Sequence, residues 1–130
     1  MSAARRLVML VDDDADYREA ASAVLGLAGY AVVPAGTGLE ALRLLEASAV
    51  RPALILLDLA QPILNGRQFL HEQRRRPALA GIPIALISGE HDLPRQAAAL
   101  AVADYLVKPV NADALLALVA RLAGPPDGSV

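Results

Sequence analysis

The chain of 130 residues contains no cysteine. That excludes a disulfide framework, a thiolate nucleophile and a thiolate metal centre. Tryptophan is absent too, and Phe69 is the sole phenylalanine, so a core must be built from aliphatic side chains. No sign of charge dominates: twelve Lys and Arg stand against fourteen Asp and Glu, a net charge of −2. This gives no basic footprint for nucleic acid or an anionic membrane surface, and no direct nucleic-acid contact is expected. No apolar run approaches the ~18 residues of a membrane-spanning helix. Arg5 and Arg6 stand where a secretory leader carries its positive charges, but the apolar run behind them, Leu7 to Val11, is too short for a leader. A cytoplasmic protein without membrane contact is expected. Lysine is nearly missing: there are eleven arginines and one lysine, Lys108.

What the chain does contain is Ala, Leu and Val, within an apolar share of 55%. That share argues against disorder, and the length suits one domain. Short β-type runs cover Leu7–Val11, Tyr30–Val33, Ala53–Leu57, Ile82–Ile87 and Asp104–Val107. Helical patterns lie between and after them, near Asp16–Ala28, Gly38–Ala47, Arg67–Arg75, Leu93–Ala101 and Ala112–Leu122. The first, third and fourth runs are apolar without alternation, as in parallel strands covered on both faces. Five β/α units of this kind predict an α/β fold: a doubly wound five-stranded parallel sheet of flavodoxin-like topology, strand order 2-1-3-4-5.

Local signals agree. Gly29 stands where the first helix needs a left-handed stop, and Thr37 with Glu40 spells a capping box. Asn111 is placed to cap the last helix. Gly124-Pro125-Pro126 stops it, so a domain over residues 1–123 and a flexible tail or linker over 124–130 are expected.

Ligands of open parallel sheets bind beyond the carboxyl ends of the strands. The first strand ends in Asp12, Asp13 and Asp14, the third in Asp58, the fourth in Ser88 and the fifth in Lys108-Pro109. The first and third strands are neighbours in the expected order, which crowds their carboxylates into one pocket. Such crowding calls for a cation, and Mg2+ suits a few carboxylates plus a phosphoryl oxygen. Lys108 offers a point charge at the same end and Ser88 a hydroxyl, with Gly89 leaving space beside it. Asp14 is best placed as the cap of the first helix.

These residues resemble the receiver domains of two-component response regulators, such as the small chemotaxis regulators. Val11-Asp12-Asp13-Asp14 is similar to the family's acidic cluster. Leu56-Leu57-Asp58-Leu59 with Pro62 and Gly66 is similar to its phosphoacceptor loop, Ile87-Ser88-Gly89 to its switch hydroxyl, and Asp104-Tyr105-Leu106-Val107-Lys108-Pro109 to its aromatic switch and lysine. The similarity covers residues 6 to 122.

The resemblance implies a phosphoacceptor of a two-component or phosphorelay system, taking a phosphoryl group onto Asp58 from a histidine kinase or histidine phosphotransfer protein. It implies Asp13 and Asp58 as Mg2+ ligands together with the Ala60 carbonyl, and Asp12 as holder of metal waters. Lys108 would neutralise the phosphoryl charge, Ser88 would reorient toward it, and Tyr105 would swing inward. The Lys108–Pro109 peptide would be cis. Ala60 and Glu90 would flank the path of the hydrolytic water and set the lifetime of the phosphoryl group. Such a protein is a switch rather than an enzyme, catalysing only its own phosphorylation and dephosphorylation.

This chain departs from the family at Ala60-Gln61, where methionines are common, at Asn65, where Asp is, and at Val110, where Phe is. Two alternatives stand beside it: an unphosphorylated pseudo-receiver, although such modules usually lose an acid or the lysine and neither is lost here, and a haloacid-dehalogenase-like aspartyl-phosphate hydrolase, whose Asp-x-Asp-x-Thr/Val pattern Asp12-Asp13-Asp14-Ala15-Asp16 fits only loosely. His71 and His91 fall outside the motifs, and Arg74-Arg75-Arg76 reads as a solvated helix end. The fourth and fifth helices carry surplus apolar residues, among them Ala97, Ala98, Ala99, Leu100, Leu115, Leu116, Leu118, Val119 and Leu122. With the fifth strand they form a face expected to receive a partner or pair as a homodimer.

Overall fold

The computed structural model describes residues 5–47, 51–60 and 65–127. Five parallel strands form one sheet in the order β2-β1-β3-β4-β5. They are β1 (Leu7–Val11), β2 (Ala31–Ala35), β3 (Leu54–Leu57), β4 (Ile84–Ser88) and β5 (Asp104–Val107). The helices are α1 (Ala15–Leu27), α2 (Gly38–Ala47), α3 (Gly66–Arg75), the short α4 (Pro77–Ala80), α5 (Leu93–Leu100) and α6 (Ala112–Ala123). No helix among the described residues is long and apolar enough to cross a membrane.

The apolar runs become the sheet's interior. All of β3 and β4 is buried, as is β1 after Leu7, because strands with neighbours on both sides and helices on both faces meet no water. Alternate residues face opposite layers. Met9, Val11, Ile55, Leu57 and Leu86 pack with Phe69, Leu70 and Leu93 from α3 and α5. Val8, Leu10, Leu54, Leu56 and Ile87 pack with Leu25 of α1 and Leu115, Leu118 and Val119 of α6.

The edges behave differently. β2 runs on through Pro34, which the sequence pattern leaves outside the strand; Pro34 pairs with Leu10. An edge strand tolerates a missing N–H on its open side. On β5 the opposite edge leaves Val107 51% exposed.

Several local signals hold. Asp14 caps α1 by accepting from the N–H groups of Asp16 and Tyr17. The Thr37 hydroxyl accepts from the Glu40 N–H at 3.1 Å, and Asn111 accepts from Ala114 at 2.7 Å. Gly29 has φ +104°, where L side chains are strained. A cap not anticipated is Asn65, which exchanges hydrogen bonds with Gln68 in a full capping box at the start of α3. The four-residue α4 was also missed, since one turn shows no periodicity.

Two expectations about surfaces change. Arg74, Arg75 and Arg76 are not simply solvated. Arg74 donates to the carbonyls of Leu100 and Ala101, Arg75 to Glu72, and Arg76 to both Glu46 and Glu72. Most of the apolar width of α6 is consumed by packing: Leu115, Leu118 and Val119 are buried, and Leu116 and Leu122 are half-buried against the same core.

α5 ends on Ala101 in the left-handed region at φ 55°. That conformation costs an alanine about 1–2 kcal/mol, part of which glycine returns as unfolded-state entropy. Ala101→Gly is therefore expected to stabilise the fold by about 0.5–1 kcal/mol, read as a raised urea midpoint at unchanged slope. A lowered midpoint would show that the cap is unstrained.

Candidate functional site

The carboxyl ends of β1, β3, β4 and β5 meet at one edge of the sheet, and each delivers a polar side chain there: Asp12, Asp58, Ser88 and Lys108. Asp12 and Asp58 immediately follow β1 and β3. Their N–H groups extend the ladder, Asp12 to Ala35 O at 3.0 Å and Asp58 to Val11 O at 2.9 Å. Both are buried, Asp12 to 1% exposure and Asp58 to 7%. Asp13 is exposed at the mouth. One carboxylate oxygen from each of Asp12, Asp13 and Asp58 lies within 4.8 Å of the other two.

Lys108 follows β5, and its N–H donates to Ser88 O at 3.0 Å. Its ammonium donates to Asp12 Oδ2 at 2.5 Å and to Asp58 Oδ2 at 3.3 Å. The chain's one lysine thus joins carboxylates 96 and 50 positions away. The Lys108–Pro109 peptide is cis.

The charges are tuned by this packing. Burial raises the Asp12 carboxyl above its ordinary range. Hydrogen bonds from Lys108 and the Asp14 N–H work against that rise, and the charge of Asp58 adds to it. Burial alone would lower the Lys108 ammonium, but the hydrogen bond to Asp12 and the charges of both carboxylates outweigh it and hold Lys108 above the usual lysine value. The pocket is therefore short of positive charge. Three oxygen donors, one of them solvent-facing and able to share its ion with waters, fit a hard divalent cation such as Mg2+.

Ser88 ends β4 and is 1% exposed; its hydroxyl accepts from the Glu90 N–H at 3.2 Å. Ala60 is exposed beside the acidic pocket and donates its N–H to Asp58 Oδ1 at 3.2 Å. Tyr105 stands apart. It is half-buried on β5, in register with Leu86 and two positions short of the strand's carboxyl end, packed on the α5 side of the sheet. Glu90 turns toward α3, where Arg67 pairs with it at 3.1 Å and also bonds Gln96. His71 and His91 are exposed. Gln61 and Pro62 lie outside the described residues.

Two contacts at this edge have no signature in the motifs, and a third involves Gly66, which the loop motif after Asp58 includes. Arg18 donates to the Asp12 carbonyl at 2.6 Å and so pins the acidic loop. The Lys108 ammonium sits 4.4 Å from the centre of the Tyr17 ring. Gly66 packs so closely under the Asp58 loop that an added Cβ would lie 2.6 Å from Leu59 Cα and 2.9 Å from Asp58 O.

The comparisons agree with this geometry. The response regulator protein FleR of Pseudomonas aeruginosa is 39% identical over 116 residues, 88% of this chain but 24% of FleR. A 14.6 kDa protein of Leptolyngbya boryana is 37% identical over 124 residues, covering 92% of this chain and 93% of that one. This chain thus spans about a quarter of FleR and nearly all of the Leptolyngbya protein. A response regulator receiver protein from Pseudomonas putida superposes with a TM-score of 0.82 at 34% identity, covering 92% of this chain and 98% of that one. The response regulator TrrA of Thermotoga maritima, solved with Mg2+ and BeF, superposes with a TM-score of 0.78 at 26% identity, covering 90% and 98%. The family model of the response regulator receiver domain matches residues 8–120, and with an acidic pocket at the carboxyl edge of a 2-1-3-4-5 sheet, the chain belongs to that family.

Proposed function

We propose that this receiver domain is a phosphoacceptor switch that takes a phosphoryl group onto Asp58 from a histidine kinase or histidine phosphotransfer protein. The observation that carries the reading is the convergence of three carboxylates within 4.8 Å with Lys108 bonded to two of them. Mg2+, when bound by Asp13, Asp58, the Ala60 carbonyl and, through waters, Asp12, supplies positive charge to the phosphoryl oxygens. The likeness to TrrA, solved with Mg2+ and BeF, supports that assignment.

An Asp58 carboxylate oxygen attacks phosphorus in line with the leaving group. The new O–P bond forms as the P–N bond of phosphohistidine breaks, and the imidazole keeps the electron pair. Lys108 neutralises charge on the transferred group, and its existing contact at 3.3 Å keeps it within reach of Asp58. The Ser88 hydroxyl accepts from the Glu90 N–H with one lone pair and keeps its own proton to donate to a phosphoryl oxygen. Tyr105 then moves into the space that Ser88 vacates, changing the face made by α5, β5 and α6. That face, where Val107 stays exposed, is where a partner or a second copy docks. The domain acts as a unit over residues 1–123, with 124–130 as tail or linker.

The test is incubation with acetyl phosphate with and without Mg2+. One phosphoryl group per chain, labile to hydroxylamine and absent when the metal is chelated, is expected. No uptake would overturn the reading in favour of a pseudo-receiver, and many-turnover hydrolysis of an unactivated phosphomonoester, which cannot serve as a phosphodonor to a receiver, would favour a hydrolase. Magnesium should also raise stability by about RT ln(1 + [Mg2+]/Kd), and the melting temperature with it, and Asp13→Asn should abolish most of that rise. An Asp13→Asn protein that responds like the unaltered one would remove Asp13 from the ligand set.

A further inference from the structure

We propose that Tyr17 is a positioning residue for Lys108: its ring holds the ammonium over the acidic pocket, so that an incoming phosphoryl group meets a charge already in place. The proposal rests on the phosphoacceptor reading of Asp58 and Lys108.

Lys108 needs holding. It follows β5, an edge strand whose last residue, Val107, is largely exposed, and its own side chain is 21% exposed. A four-carbon stem at such a place turns readily to water. Two carboxylates draw the ammonium from one side, Asp12 at 2.5 Å and Asp58 at 3.3 Å. The Tyr17 ring closes another, with Nζ 4.4 Å from its centre, inside the range of a cation over an aromatic face.

The ring is itself fixed. Tyr17 lies in the first turn of α1, and its N–H donates to the capping Asp14 carboxylate at 3.2 Å. The next residue, Arg18, bonds the Asp12 carbonyl. One helical turn therefore holds both the acidic loop and the face against which its counter-charge rests.

The Tyr17 hydroxyl is buried and has no hydrogen-bond partner among the described residues. A tyrosine kept for its hydroxyl would be bonded there, so the ring is the part in use. The attraction of a cation to a ring face is broad in direction. Lys108 can thus shift from Asp12 toward a phosphoryl oxygen on Asp58 without leaving the ring. The competing account is packing, since Tyr17 is also half-buried against the core cluster that holds Leu115, and lines one cavity with Val24, Val110 and Leu115.

The experiment uses the full chain, Mg2+ and acetyl phosphate, and compares Tyr17→Phe, Tyr17→Leu and Tyr17→Phe proteins bearing one, two or three ring fluorines. Phosphoryl uptake by Tyr17→Phe should lie within about twofold of the unaltered chain, and Tyr17→Leu should be slower by about five- to tenfold. Uptake should fall stepwise with fluorination at constant melting temperature, because fluorine weakens the ring's negative face while nearly keeping its shape. Since the chain has one lysine, lysine labelled with carbon-13 gives a single set of signals. Its side-chain methylene protons should be shifted upfield by the ring in the unaltered chain and in Tyr17→Phe, and not in Tyr17→Leu. Equal uptake across the fluorine series, or no ring shift at Lys108, would overturn the proposal. An unaltered chain that shows the ring shift but takes up no phosphoryl group would sink the phosphoacceptor reading, and with it any catalytic purpose for the contact.

Discussion

Asp58→Asn is expected to abolish phosphoryl uptake from acetyl phosphate while leaving the fold intact. Asn has nearly the same shape as Asp, and the strand that positions residue 58 is wholly buried and independent of its charge. The amide lacks the anionic oxygen that forms the O–P bond, so loss should reach the background of the assay. Metal affinity should fall as well, because one of three clustered carboxylates is gone. Stability without metal should hold or rise. Asp58 and Asp12 repel across the pocket, as the raised Asp12 carboxyl reflects after burial. Lys108 keeps its 2.5 Å partner at Asp12 when Asp58 is neutral. Mass spectrometry of the treated protein beside a thermal melt checks both halves. Label retained by the Asp58→Asn protein, on Ser88 or elsewhere, would mean that the nucleophile is misassigned.

The second large effect is expected at Gly66. Its N–H donates to Leu59 O at 3.0 Å, which draws the start of α3 against the loop leaving β3. A methyl group there would stand 2.6 Å from Leu59 Cα and 2.9 Å from both Asp58 O and Leu59 Cδ2. The first two are backbone atoms, so no rotamer relieves the contact. Overpacking of this kind costs about 1–3 kcal/mol, and we expect the upper part of that range for Gly66→Ala, a melting temperature lower by roughly 10 °C. Because the displaced backbone carries Asp58, phosphoryl uptake should drop even at temperatures where the protein stays folded. A Gly66→Ala protein with unaltered melting and uptake would show that the loop moves aside freely.

Much of the fold was open to inspection in the chain itself. Unbroken apolar runs such as Leu54–Leu57 announce strands covered on both faces, and β3 is entirely buried. Asp14 and Asn111 cap their helices because capping is a matter of neighbours within three residues. The edges were harder. Pro34 looks like the end of a strand until its neighbour is known, and only its place at the sheet's rim lets it pair with Leu10. α4 is a single turn and leaves no period to detect.

The acidic residues of the site were legible for a related reason. Asp12, Asp13, Asp58, Ser88 and Lys108 each stand at the end of an apolar run, and a parallel sheet carries all such ends to one edge. Order along the chain therefore determined which polar groups would share a pocket. It did not determine which of them touch. That Lys108 bonds Asp12 more closely than Asp58, that Arg67 from α3 holds Glu90, and that Gly66 lies against Leu59 depend on how two segments approach across the sheet. Tyr17 is the clearest case. In the sequence it is an aromatic residue on a helix face, as suited to packing as to anything else. The reach of Lys108 from the end of β5 to Asp12, at the start of the loop before α1, brings its ammonium to 4.4 Å from the centre of that ring. Strand ends are set by a local pattern of burial, whereas the meeting of two side chains is set by the packing of whole elements, and the physics that decides it acts only once the chain has folded.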